Sequence, residues 1–531
     1  MKRNIIRTCV LGLGLLTLAS CEDPMDELTS LLYDRVFSPI DFEARNITEN
    51  SVNLQWVKSD GADSYTIEIF ADDSLTFEFK GEPVQTITGI TADQIPYTVS
   101  NLVYDTKYSA YIMAVDADDA DRNSKWHGVY FHTSAQQIFN SIPESSISDR
   151  SVTVTWPGGE EVTRITATET NTGVIAVDKE LTAEEKAEGK AVITGLTPET
   201  SYTIKLYNND KERGSKSIKT ITDLDGATTV SPDEDFASLL ESATDGQVFA
   251  LYGGTYTIAS ESGAPGNAKI TKNITIKGIY PTNLPVIKGR FQLDNGASLS
   301  LNQVILDGGE NETTDQAFNY KTSGATYDHL DVQNCEIRNF GKGLLYLNVA
   351  STINKVTFNN CLIHNITCDG GDFLDSRTGR INELNLTNST IYSSAAARDF
   401  IRMDDASGSM GGGTPVINVK NCTIDGAANA SSKRLLYVRY VGNVINWENN
   451  LVTNTNAMFS NQSKTSVPTF KGNVYFNTPN LEKAVEGGNL FTDESGTWNV
   501  DPKYQDAANG DFTVTNEDVS TKGAGDPRWL K

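Results

Sequence analysis

Histidine and cysteine are scarce in this 531-residue chain: there are four of the first and six of the second. His127, His132, His329 and His364 stand singly, and no cysteine spacing resembles a zinc site. No obligatory disulfide framework is expected, because three of the cysteines recur at one slot of a repeat where a small buried side chain fits. Positive charge is also short. Lysine and arginine number 44 against 69 acidic residues, for a net charge of −25. That balance argues against nucleic acid and anionic membrane surfaces as partners; an acidic polysaccharide stays open, since a local cationic patch overrides the mean. Beyond residue 18 no apolar run is long enough to cross a bilayer. Helical periodicity is rare, and Asp235–Ala243, with Phe236, Leu239 and Leu240 at helical spacing, is the clear instance. What remains, rich in Gly, Thr, Asn, Val and Ile, suits a mostly-β chain of several domains.

One pattern recurs from Leu330 to Val452: apolar, any, apolar, any, Asn, small, any, apolar. Its asparagines are Asn334, Asn360, Asn388, Asn421 and Asn449, at steps of 26, 28, 33 and 28 residues. A sixth copy, Leu299–Leu306, has Gln303 in the Asn slot, and a seventh, Pro468–Tyr475, has Gly472 there. The period-2 alternation predicts strands, and repetition at this interval predicts a solenoid. Parallel strands stacked about 4.8 Å apart would bury what one strand cannot. The Asn slot then becomes a ladder, each amide donating to the next coil, at a left-handed bend that Asn tolerates. The next slot holds Val304, Cys335, Cys361, Ser389, Cys422 and Asn450, mostly small enough for a narrow interior. The reading is a parallel β-helix over 224–531, with the 235–243 helix capping its first edge.

Upstream, residues 1–20 have a basic start (Lys2, Arg3, Arg7) and an apolar run from Val10 to Leu18, as a secretory signal does. Leu18-Ala19-Ser20-Cys21 resembles the bacterial lipobox, which implies lipidation of Cys21 and an outer-membrane anchor facing the cell exterior. The acidic tether 21–36 begins Glu22, Asp23, Asp26, Glu27, and resembles the export signal of Bacteroidetes surface lipoproteins. Residues 37–135 alternate over Ser51–Trp56, Ser64–Phe70 and Tyr108–Val115, with Leu102 six residues before Tyr108. Residues 136–223 repeat the scheme with Val152–Trp156, Leu196, Tyr202 and Thr203–Tyr207. A strand Trp with a later Leu and Tyr six apart resembles the fibronectin type III pattern, whose Tyr makes a tyrosine corner. These modules read as spacers. The whole chain is therefore expected to be all-β: two fibronectin type III-like sandwiches, then the β-helix.

The run Gly246–Leu251 with Gly254-Thr255-Tyr256, and the closing segment from Asp501 to Trp529, resemble the ends of carbohydrate-active right-handed β-helices. Together, residues 225–531 resemble the paired uncharacterised β-helix domains of Bacteroidetes surface lipoproteins, which are similar to the pectate-lyase superfamily. A second strand follows each Asn copy: Leu344–Asn348, Phe373–Arg377, Phe400–Asp404, Leu435–Arg439 and Met458–Gln462. Positions two and four of these are mostly apolar and should point inward. Positions three and five then put Tyr346, Asp375, Arg402 and Tyr437, and Arg377, Asp404 and Arg439, on an outer face. Arg suits uronate carboxylates, Tyr stacks on sugars, and Asp375 with Asp404 offers oxygen ligands to Ca²⁺.

Three functions compete for that face. Tyr346, Asp375, Arg377, Arg402, Tyr437 and Arg439 would bind a uronate-containing polysaccharide for a bacterial glycan-utilisation system. The resemblance to pectate lyases implies instead an Arg or Lys base with a cation on the uronate carboxylate. That points to Arg402 and Arg439, with Lys433 and Arg434 nearby. A free guanidinium is a poor base, so a lyase needs its pKa depressed, and the basic motif spacing of characterised lyases is missing. Thirdly, alternating Arg and Asp can pair with each other and merely keep the sheet of a structural or adhesive protein soluble.

Overall fold

The computed structural model describes residues 34–71, 81–259, 265–309 and 315–530. Cys21 and the leader lie outside them. Residues 40–132 form a two-sheet sandwich. Ile40–Arg45, Val52–Val57 and Tyr97–Val99 face Gln85–Ile90, Ser64–Phe70, Lys107–Val115 and His127–His132. Trp56 is buried edge-on against Tyr65, ring centroids 5.2 Å apart. The Tyr108 hydroxyl accepts the Val103 N–H at 2.9 Å, closing the expected tyrosine corner. The second sandwich repeats both devices: Trp156 is buried, and Tyr202 accepts the Thr197 N–H at 2.9 Å.

Among the described residues, the remainder is a parallel β-helix of three sheets with ten, ten and seven strands. In the first sheet Leu299, Leu330, Val356, Leu384, Ile417 and Ile445 lie in one register, the alignment read from the repeat. The Asn slot takes positive φ in every copy: 56° at Gln303, 55° at Asn334, 53° at Asn360, 49° at Asn388, 53° at Asn421, 52° at Asn449 and 65° at Gly472. That bend turns each backbone N–H toward the next coil, as from Asn334 to Asn359 O (3.0 Å) and from Asn421 to Glu448 O (3.0 Å). The side-chain amides also form a ladder, with Asn360 donating to Asn334 at 2.7 Å and Asn421 to Asn388 at 3.0 Å. The ladder is not interior: Asn334 and Asn360 are exposed, and Asn388 and Asn421 half-buried, because the bend throws the slot outside the coil. The next slot is the buried one. Cys335, Cys361 and Cys422 fill it as free thiols, and burial pushes Cys361 up to about 12.

The helix Phe236–Glu241 caps the first coil, Phe236 packing on Phe249 and Tyr256. At the other end residues 501–530 fold back over the second sheet. Phe512 lies against Tyr392, and Trp529 Nε1 donates to Thr390 Oγ1 at 2.7 Å.

Candidate functional site

The third sheet carries the candidate face. Its ladder sets Tyr346, Asp375, Arg402 and Tyr437 side by side on successive coils, as the alignment predicts. Past the strand ends, the N–H groups of Arg377, Asp404 and Arg439 bond to Leu347, Ser376 and Met403 carbonyls at 2.8, 2.8 and 2.7 Å. Those bonds hold the second column in register. At the opposite end of these strands, Phe373 and Phe400 stack inside the coil at 4.9 Å.

Outward direction does not mean open to solvent. Asp375 is fully buried, because Arg377 folds over it as a fork, with Nη2 at 2.8 Å and Nε at 3.0 Å. Arg402 reaches three carboxylates: Asp372 (3.0 Å), Asp404 (2.8 Å) and, at 3.9 Å, Asp375. Arg439 meets Asp404 at 3.4 Å. Two members escaped the sequence reading. Asp372 and Asp399 are buried one residue before their strands, in line with Arg434. Arg434 grips Asp399 at 2.5 Å, while the Asp399 N–H donates to Asp372. Carrying the strand alignment one position upstream would have shown charge there on three successive coils.

Four arginines thus meet four aspartates, and the lattice is self-neutralised. Burial disfavours the Arg402 cation, but its bonds to Asp404 and Asp372 outweigh that and raise its pKa. This is the wrong direction for a residue meant to abstract a proton. Ca²⁺ does not fit either: Asp375 and Asp404 both spend their oxygens on guanidinium, and no cluster of three or more metal-ligating side chains occurs among the described residues. The aromatic members keep part of their surface. Tyr437 has Arg402, Arg434 and Arg439 at 5.2, 4.5 and 5.3 Å from its ring centroid, and Tyr346 has Arg377 at 5.5 Å. Nε of Arg434 and of Arg439 has no hydrogen-bond partner.

A loop borders this face. Residues 404–415, which account for the long 33-residue step of the repeat, leave the coil after Asp404. Lys464 pins Asp405 at 2.6 Å, and Arg380 and Tyr440 hold the Gly412 and Gly411 carbonyls.

Comparison with known proteins follows the same division. The fibronectin type III domain model matches residues 37–127. Two domains of unknown function, DUF4957 and DUF5123, match residues 254–394 and 417–529. Receptor-type tyrosine-protein phosphatase eta of Gallus gallus is 26% identical over 277 residues, which is 48% of this chain but 17% of that protein. Among solved structures, a two-domain fibronectin type III segment of chicken tenascin aligns with 34% of this chain and 99% of its own. It does so at 18% identity and a TM-score of 0.25. The central fibronectin-III array of RIM-binding protein covers 38% and 66%, at 15% identity and a TM-score of 0.15. Scores this low carry no argument about the whole molecule. Residues 37–127 are a fibronectin type III domain, and the chain ends in a β-solenoid matched by two domain families without an assigned activity.

Proposed function

We propose that the chain is a non-catalytic binding protein of the cell surface, anchored through Cys21, whose third sheet takes an acidic, uronate-containing polysaccharide. The observation that carries this reading is Tyr437 set among three guanidiniums, one of them, Arg439, with a side chain 40% exposed. An aromatic ring beside a planar donor suits a sugar bearing a carboxylate. The raised Arg402 pKa favours binding over β-elimination. One observation favours a second reading, a purely structural face: the arginines and aspartates already balance.

Titration calorimetry with uronate oligosaccharides separates the two. Losing a charge-assisted contact costs about 1.5–3 kcal/mol, so Arg439→Ala should weaken binding roughly tenfold or more. Wild-type affinity in both Arg439→Ala and Tyr437→Ala would sink the glycan reading. The anchor is tested separately by cell fractionation, in which Cys21→Ala should no longer follow the outer membrane.

A further inference from the structure

We infer that the site proposed above selects an alternating polysaccharide, with a uronate at every second sugar and a neutral sugar between, over a chain of uronates alone. The inference rests on that glycan reading and adds to it the order of charges along the face. The second outward column runs Arg377, Asp404 and Arg439 on successive coils, held in line by their backbone bonds to Leu347, Ser376 and Met403. Parallel strands lie about 4.8 Å apart, so the two arginines, two coils apart, are separated by about 10 Å along the axis. An extended disaccharide covers about the same length. A glycan lying along the axis therefore meets arginine, aspartate and arginine with three consecutive sugars.

Exposure decides which charges a ligand touches. Asp372, Asp375 and Asp399 are buried, and Asp405 is clamped by Lys464. The Arg377 and Arg439 side chains stand 32% and 40% exposed, with Asp404 at 16% between them. Arg377 spends Nε and Nη2 on Asp375, which leaves its Nη1 without a hydrogen bond among the described residues. Arg439 meets Asp404 through Nη2, and its Nη1 is free in the same sense. Each arginine thus keeps a donor group for a carboxylate. Each also has a ring from the first column beside it: Tyr346 at 5.5 Å from the Arg377 guanidinium and Tyr437 at 5.3 Å from that of Arg439. Two like subsites flank Asp404. Its carboxylate accepts a hydrogen bond from a sugar hydroxyl or amide and repels a second carboxylate. The lattice as a whole is neutral, so it discriminates by the order of its charges and not by their sum. A homopolymer of uronates brings a carboxylate on the middle sugar, which must face Asp404 or twist away. An alternating chain meets all three side chains without that conflict.

Titration calorimetry of the full chain with three hexasaccharides tests this: hyaluronan and unsulfated chondroitin, which alternate, and hexagalacturonate, which does not. At least one alternating probe should bind about tenfold tighter than hexagalacturonate, or more. Asp404→Asn keeps the shape and removes the charge. It should close most of that gap by tightening hexagalacturonate binding, with thermal melts confirming the fold. Arg377→Gln should weaken the alternating probe roughly tenfold, as far as Arg439→Ala does. Hexagalacturonate binding as tightly as both alternating probes, or tighter, overturns the inference and leaves the glycan reading standing. So does a gap that Asp404→Asn fails to narrow, or an Arg377→Gln variant with wild-type affinity. Binding of none of the three overturns the glycan reading and this inference together.

Discussion

Arg402 and Arg439 look alike in the sequence, and their surroundings separate them. Arg402 is mostly covered and answers the buried carboxylate of Asp372, while the Arg439 side chain is 40% exposed and makes one ion pair, with Asp404 at 3.4 Å. Arg402→Ala should therefore cost stability, about 3 kcal/mol, because Asp372 would remain buried and uncompensated. Arg439→Ala should change stability by less than about 1 kcal/mol and act on ligand affinity alone. Chemical denaturation of both variants checks this, and equal losses would mean that the lattice is one cooperative unit. Sequence alternation set Arg402, Tyr437 and Arg439 on the partly exposed side of this sheet, although Phe373 and Phe400, in phase with them, lie inside the coil. It could not give the depth. Asp375 points outward yet is sealed by Arg377 and Arg402, since long side chains from neighbouring positions close over a short one. Which arginine is structural and which is available depends on those crossings between coils, and no single strand's pattern contains them.

Each full coil is three strands joined by bends, and the bend at the Asn slot is the legible part. Asn in five of the seven copies of that slot marked the register because few other residues accept positive φ. The same fact explains the slot's exposure: a residue chosen for its backbone conformation sits at a corner, where its side chain faces water. Asn421 contributes in two ways, through φ of 53° and through its amide bond to Asn388. Asn421→Ala loses both and should cost about 1–3 kcal/mol. Asn421→Gly keeps the backbone conformation and should cost clearly less, as Gly472 in the same slot suggests. Lys420→Ala removes a partly exposed pair with Glu448 and should stay within about 1 kcal/mol. Thermal melts rank the three, and Gly as damaging as Ala would assign the slot's value to the amide ladder rather than to the bend. The second ladder, where Asn365 donates to Asn339 and Asn477 to Asn454, was missed because Ser393 and Gly426 interrupt it in the middle coils.

At the scale of the molecule the bodies touch at both junctions. The Glu212 N–H donates to Asp105 at 2.7 Å between the sandwiches, and Arg213 lies 5.1 Å from the Tyr104 ring. Ile221 packs with Ala250 and Ile279 where the second sandwich meets the β-helix. Acid should act mainly on the β-helix. Hydrogen bonds from Lys464 and Ser407 hold Asp405 down to about 2. His364 and Arg338 lower Glu336 against its burial. Burial opposes the charges of Asp307 and Asp315, yet hydrogen bonds from Asn339 and Arg338 at the one, and from Lys342 with the Arg290 charge at the other, leave both pKa values lowered. Each lowered carboxyl contributes stability above its unfolded pKa, near 4, and that stability is lost as pH falls through the folded value. Asp399 and Asp526 run the other way. Burial raises them despite Arg434 and Arg528, so their contribution is present in acid and lost as pH rises past the ordinary carboxyl range. The lowered group is the larger, so the melting temperature should fall steadily from about pH 5 toward pH 2. Asp405→Asn should melt lower at pH 5, having lost the Lys464 clamp, and show a shallower acid limb. Asp526→Asn removes an opposing group and should steepen that limb above about pH 4. Melts of the three proteins in half-unit steps decide it: an acid limb of wild-type slope in Asp405→Asn would show that the Lys464 clamp on the 404–415 loop does not couple to folding.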